Sequence, residues 1–259
     1  MAYDPARHRL VFVGGLHRSG TTLLADLLAE HDEVSGFADT GVPADEGQHL
    51  QTVYPTARAI GGPGRFGFAK GARLTENSPL ATAASAERLL SEWGPHWDRT
   101  RAVLVEKSPP NLLRTRFLQA LFPDARFLLI VRHPVAVSLA TRKWSQTSVP
   151  SLLRHWLVCH RAFAADRERL GRVHVVSYEH LAAEPEACLA GVFAFLDLAP
   201  PPRSLEVRAG SNEEYFARFR SHPVAAAALA LRYEHAVARF GYSLRELSRR
   251  PEAPSSSRS

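Results

Sequence analysis

Two short segments of this 259-residue chain carry residue types spaced to hold anions. The first is Gly15-Leu-His-Arg18-Ser19-Gly20-Thr21-Thr22, set between the apolar run Leu10-Val-Phe-Val13 and a leucine-rich stretch. The spacing from Gly15 to Thr22 is that of a phosphate-binding loop, GxxxxGK[ST]. In such a loop backbone N–H groups converge on an anion where a helix begins. The lysine that would reach the β- and γ-phosphates of a nucleoside triphosphate is replaced by Thr21, and Arg18 offers a charged clamp instead. The second segment is Arg126-Phe-Leu-Leu-Ile-Val-Arg132-His-Pro134. Its apolar run ends in an arginine where a kinase or ATPase often places a magnesium-binding aspartate. Arg18, Ser19, Gly20, Thr21 and Thr22 are therefore expected around one anionic group, and Arg132 at a second.

These segments resemble the hallmarks of sulfotransferases that use 3′-phosphoadenosine 5′-phosphosulfate (PAPS), above all the bacterial and tyrosylprotein-type branch. Arg18-Ser-Gly-Thr-Thr-Leu-Leu24 is similar to that branch's 5′-phosphosulfate loop, RSGTTLL. The stretch ending in Arg132-His-Pro134 is similar to its VRDP or VRNP strand end, whose arginine holds the donor's 3′-phosphate together with a serine of the next helix. The resemblance runs in matching order from Leu10 to about Leu198. It implies PAPS as co-substrate, PAP (adenosine 3′,5′-bisphosphate) as product and no metal. Two separated anion sites suit such a donor better than ATP. Family members often carry the serine eight positions after the arginine, where this chain has Ala140, so Ser138 is assigned that place, with Thr141 as the alternative. Val176-Ser-Tyr178-Glu-His-Leu181 resembles the RYEDL segment, whose tyrosine frames the nucleotide. Tyr178 is thus either a nucleotide contact or a core residue.

Sulfuryl transfer is an in-line displacement. The site must remove the acceptor's proton, neutralise charge growing on the bridging oxygen and align the reactants. Val105-Glu-Lys107-Ser-Pro-Pro110 resembles the family's strand-end lysine segment, which assigns Lys107 to the leaving group. Three residues compete for the base. Glu46, in the acidic loop Gly41 to His49, ranks first because it reaches one methylene deeper than Asp39. Asp39, followed by Thr40, matches the place of the tyrosylprotein-type glutamate when counted from Arg18. His49 has the intrinsic pKa best suited to neutral pH. The expected acceptor is a hydroxyl, less readily an amine, on a small molecule or glycan. The rivals are a P-loop nucleotide kinase, disfavoured by Thr21 and Arg132, and a non-catalytic nucleotide-binding regulatory protein on the same fold.

The elements that must position these residues are legible as alternating strands and helices. Strands are expected over 10–13, 102–105, 126–131 and 173–176. Helices are expected over 21–30, 83–93, 111–121, 135–144, 152–170, 184–196 and 225–240. Residues 31–78, rich in Gly and Pro, are expected as loops and short helices over the site, and Pro200-Pro-Pro202 as a break. The alternation indicates an α/β, three-layer P-loop-like fold, with a central parallel sheet flanked by helices. One domain is expected over 1–248, with a disordered Pro/Ser/Arg tail over 249–259.

Composition narrows the class further. Hydrophobic residues make up 45% and charged residues 22%, which excludes a wholly disordered chain. The net charge of +6 favours an anionic partner, and only Lys70, Lys107 and Lys143 of the 32 basic residues are lysines. No aromatic-interleaved basic motif points to nucleic acid. Cys159 and Cys188 form no CxxC pair, and no HExxH spacing occurs, so no metal is expected. With no apolar run of membrane-spanning length and no signal peptide, a cytoplasmic protein is expected. Oligomeric state is not readable from the sequence.

Overall fold

A computed structural model describes residues 3–201 and 212–251. Five strands, β1 (Arg9–Gly15), β2 (Val34–Ser35), β3 (Val103–Lys107), β4 (Arg126–Val131) and β5 (Val173–Ser177), form one all-parallel sheet in the order β2-β3-β1-β4-β5. The chain leaving β1 turns toward β2, whereas the chain leaving β4 turns toward β5. The crevice at the C-terminal ends of β1 and β4 is thus the topological switch point, where open α/β sheets bind ligands. The loop after β1 and Arg132 after β4 stand on its two sides.

The apolar strand runs follow from burial on both faces of the sheet. Successive side chains point to opposite faces, so one run feeds two cores. Leu10, Phe12, Leu104, Phe127 and Leu129 pack on one face with Trp93 of α2 (Ala83–Trp93), Phe117 of α3 (Thr115–Leu121) and Trp156 of α5 (Val149–Arg167). Val11, Val13, Val103, Val105, Leu128 and Ile130 pack on the other with Leu24 and Leu28 of α1 (Thr21–Ala29) and Val192 and Phe193 of α7 (Pro185–Phe195). Helices therefore cover both faces, giving the expected three layers.

Helix ends depart from the sequence expectations where local chemistry decides them. The helix expected from 111 begins at Thr115, because Pro109–Leu113 form a tight 3-10 turn first. The helix expected from 184 is preceded by a separate one, α6 (Tyr178–Ala183), whose cap is the Ser177 hydroxyl accepting from the His180 N–H. Pro185 then opens α7, as a proline can at a first helical turn. The two-residue β2 was not anticipated, nor was α8 (Glu213–Arg220). The last helix, α9 (Pro223–Ala238), starts two residues before the expected 225. Helix α4 (Pro134–Ser145) matches its expected span to within a residue at either end. Segment 31–78 carries four 3-10 turns, Pro43–Asp45, Gly47–His49, Arg58–Ile60 and Phe66–Phe68. Pro202 and residues 252–259 of the expected tail lie outside the described residues. Among the described residues no helix is long and apolar enough to cross a membrane.

Phe12 is the hinge of the aromatic core. Its ring lies 5.8 Å from Phe127 and 5.9 Å from both Phe122 and Trp93. Phe12→Ala is expected to lower unfolding stability by about 3–5 kcal/mol. A urea denaturation midpoint checks this, and a loss below about 1 kcal/mol would place the ring outside the cooperative core.

Candidate active site

The loop after β1 is shaped by close approach. A Cβ at Gly15 would stand 2.6 Å from the Ile130 carbonyl oxygen and 2.6 Å from Ser19 Oγ, so only glycine lets β1 run this near β4. Ser19 is buried and turned into the loop, where its hydroxyl donates to the Leu16 carbonyl at 2.7 Å and its N–H to the same oxygen at 3.0 Å. It braces the turn. Gly20 caps α1 in the left-handed region, φ +105°. The first N–H groups of a helix have no partner within it, so Thr21 and Thr22 present donors and the positive dipole end to whatever lies in front.

Arg132 closes the other side. It is buried, and it donates from Nη1 to the Arg18 carbonyl at 3.0 Å and from Nε to Asn212 Oδ1 at 2.8 Å. Its guanidinium lies 4.1 Å from the Tyr178 ring centroid, and that ring rests against Gly20. Glu179 anchors the assembly. It accepts from the His133 N–H (2.9 Å), Asn212 Nδ2 (2.8 Å), Tyr242 Oη (2.9 Å) and Ser177 Oγ (3.2 Å).

In front of these groups opens a cavity of about 640 Å³. Arg18, Gly20, Thr21, Thr22, Arg132 and Tyr178 line one part of it, and Glu46, Gln48, His49 and Arg58 of segment 31–78 line another. Glu46 is buried, and burial raises its pKa against the opposing pull of Lys107 and of the hydrogen bond from Gln48. His49 Nε2 lies 3.8 Å from Glu46 Oε2, and burial with nearby Arg58 lowers its pKa. Lys107 sits beneath this rim. It donates to the Ala44 carbonyl and stands 3.9 Å from Glu46 Oε1, with its pKa lowered by burial.

Not every expected site residue gathers here. Lys107 adjoins the cavity through Glu46 and is not among its lining residues, since the 43–45 turn covers it. Asp39 is exposed, in a left-handed conformation of φ +53°, and does not line the cavity. Ser138 and its alternative Thr141 are buried and face a small void beside His17 and His155, separate from the cavity with Arg132. Their direction follows from the rotation of α4, which a residue count from Arg132 does not supply. Sequence reasoning assigned no role to Trp144, 62% exposed at the cavity rim with the Arg18 guanidinium 4.8 Å from its ring, or to His17, Gln48 and Arg58, although the last two lie in the segment expected over the site. The sequence carries no signal for Trp144, since its exposure and its place beside Arg18 arise only in the fold.

The chain is similar to known proteins over most of its length. The model of the sulfotransferase family matches residues 11–202. Protein-tyrosine sulfotransferase 2 of Gallus gallus is 28% identical over 202 residues, covering 73% of this chain and 51% of that one. Protein-tyrosine sulfotransferase A of Caenorhabditis elegans is 26% identical over 200 residues, covering 73% and 50%. The chain thus spans about half the length of these curated relatives. Among solved structures, a sulfotransferase of Mycobacterium tuberculosis aligns with a TM-score of 0.52 at 18% identity, covering 77% of this chain and 70% of that one. A sulfotransferase of Mycobacterium avium aligns with a TM-score of 0.52 at 14% identity, covering 83% and 68%. At these identities the structures share the fold.

Gly20→Ala tests the loop. The new methyl would stand 2.8 Å from the Tyr178 ring and hold an L-residue at φ +105°. Gly41→Ala is the control, with φ +78° and no atom within 4 Å. Both are expected to lose about 1–2 kcal/mol from the left-handed backbone, and Gly20→Ala measurably more. Equal thermal midpoints for the two variants would show that Tyr178 does not press on the loop.

Proposed function

The chain belongs to the sulfotransferase family, and from that premise we propose that it transfers a sulfuryl group from PAPS to an acceptor hydroxyl. The observation that carries this reading is the cavity itself. Two arginine-flanked anion sites without a P-loop lysine face a buried carboxylate across one space of about 640 Å³. The groups present suit the donor. The N-terminus of α1 with Arg18, Thr21 and Thr22 would hold the 5′-phosphosulfate, and Arg132 the 3′-phosphate, with the Tyr178 ring between them.

When bound, the donor supplies an electrophilic sulfur and a bisphosphate leaving group. The chain's residues supply the rest. Glu46 accepts the acceptor's hydroxyl proton as its oxygen bonds to sulfur, while the bond from sulfur to the bridging oxygen breaks and PAP departs. The α1 N–H groups and Arg18 neutralise charge on the transferring and leaving oxygens. Lys107 holds the Glu46 carboxylate at 3.9 Å and keeps a cation behind the reacting end. His49, at 3.8 Å from Glu46, is the second candidate for the proton. Asp39, exposed and off the cavity, ranks behind both.

A small molecule or glycan hydroxyl fits a concave pocket of this size. The relatives named for protein tyrosine make a phenolic hydroxyl on a peptide the second class to assay. Transfer of radiolabelled sulfuryl from PAPS to aliphatic, glycan, phenolic and tyrosyl-peptide hydroxyls tests the reading. PAP binding with no product from that panel would favour the regulatory alternative, and phosphoryl transfer from ATP–Mg would favour the kinase.

A base works only when deprotonated. Because burial raises the Glu46 pKa, kcat is expected to fall with decreasing pH along a limb lying above the ordinary carboxylate range. Glu46→Gln is expected to cost ~10²–10⁴-fold in kcat and to abolish that limb. PAP affinity should stay within about threefold, since the variant removes a transition-state interaction rather than uniform binding. A loss below about tenfold would transfer the role to His49.

A further inference from the structure

Directly behind the Glu46 turn lies a second carboxyl, one that the transfer step does not use. Glu106, the penultimate residue of β3, stands opposite Phe12 of β1 in the parallel register and is fully buried. Both of its oxygens are committed. Ser108 Oγ donates to Oε1 at 2.5 Å, and Asn111 Nδ2 donates to Oε2 at 2.5 Å. Asn111 Nδ2 also donates to the Val13 carbonyl at 3.1 Å, which fastens the carboxyl to the strand that launches the anion-binding loop.

The other direction leads to the base. Ser108 Oγ accepts from the Gln48 N–H at 2.9 Å, and the Gln48 side chain donates to Glu46 Oε2. Gly47 lies flat on the Glu106 carboxyl, where a Cβ would stand 2.5 Å from Glu106 Cγ and closer still to Oε1. The Trp93 indole N–H holds the Gly47 carbonyl at 2.9 Å. The 46–49 turn is therefore clamped between a carboxyl and an indole.

A carboxyl is an expensive occupant for an interior strand position. The ionisable groups around it are Lys107 on its own strand, Glu46 on the turn, and Tyr54 and Arg114 packed behind. Burial pushes the Glu106 pKa up to about 7, against the hydrogen bonds from Ser108 and Asn111 and the charge of Lys107. An apolar residue would fill this space at lower cost but could not hold Ser108 and Asn111 in place.

We propose that Glu106 is a positioning residue, which through Ser108 and the Gly47–Gln48 backbone fixes the Glu46 carboxylate and the His49 ring at the cavity wall. Its catalytic consequence rests on the reading of Glu46 as the base, whereas the clamp itself does not.

Glu106→Met nearly keeps the volume and removes both acceptor oxygens, while Asn111 Nδ2 keeps its bond to the Val13 carbonyl. Ser108→Ala cuts the same link while leaving the buried carboxyl in place. In the ligand-free protein, NMR titration of His49 is expected to show its midpoint rising toward the ordinary value of 6.5 in each variant, as the turn loosens and hydrates. The Trp93 indole N–H resonance should shift as well. In assays, kcat should fall by about ten- to a hundredfold, as small misplacements of reacting groups do, with PAP affinity little changed. The double variant should be no worse than the worse single one, because both act through one link. Unchanged His49 titration and kcat in both variants would overturn the proposal. So would losses confined to PAP affinity, or additive losses in the double variant. Should Glu106→Met fail to fold, Ser108→Ala decides alone. Should the wild-type protein bind no PAP, the proposed function falls, while the His49 titration still decides whether the clamp exists.

Discussion

The site depends on one arginine that does two things at once. Arg132 ends β4, and its guanidinium reaches across the switch-point crevice to the Arg18 carbonyl, 3.0 Å away, while stacking on Tyr178. That tie joins the loop after β1 to the end of β4 above the sheet, beside the weaker bond from Thr141 Oγ1 to the His17 carbonyl. With it, the two proposed anion sites keep a fixed separation. Burying a guanidinium is costly unless its donors are satisfied. The cost is offset by Asn212, by the Arg18 carbonyl and by the aromatic face, and Glu179 holds the surrounding N–H and O–H groups in place. A rigid spacing between two cationic turns is what a ligand with two anionic ends requires.

The proposed acceptor side is built on another principle. Segment 31–78 has little regular structure, yet its 43–49 turns carry a buried glutamate over a buried lysine. Each ion makes the other tolerable in a poorly solvated place. The same burial that raises the Glu46 pKa lowers that of Lys107, so both groups are moved from their solution values toward neutral pH. Perturbed groups of this kind gather where chemistry is done. Glu106 and Trp93 beneath the turn give an irregular segment the rigidity that a strand would otherwise supply.

Much of this was legible in the residues. The strand runs, the Gly15 to Thr22 spacing and the Arg132 strand end have local causes, since backbone period and turn chemistry act within a few residues. The family match over 11–202 and the all-parallel sheet agree with them. Illegible were the features that depend on direction in space. Counting from an arginine put Ser138 near the second anion site, but the rotation of α4 points it into the void beside His17. Counting from Arg18 put Asp39 in the base position, but a left-handed backbone leaves it exposed. Lys107 stands at the strand end as expected, and only the fold of a segment sixty residues upstream shows that a turn covers it. Helix α6 escaped notice because a single serine cap, Ser177, outweighs six residues of weak periodicity.

The central claim is that Arg132 and the loop after β1 grip two ends of one donor. A binding cycle by calorimetry tests it most directly, comparing PAP with adenosine 5′-monophosphate on the wild-type protein and on Arg132→Ala. The account predicts that removing the 3′-phosphate costs about tenfold or more in affinity for the wild type, and little for the variant, so that the two losses are coupled by about 1.4 kcal/mol or more. Additive losses, or tighter binding of ATP–Mg than of PAP, would contradict it.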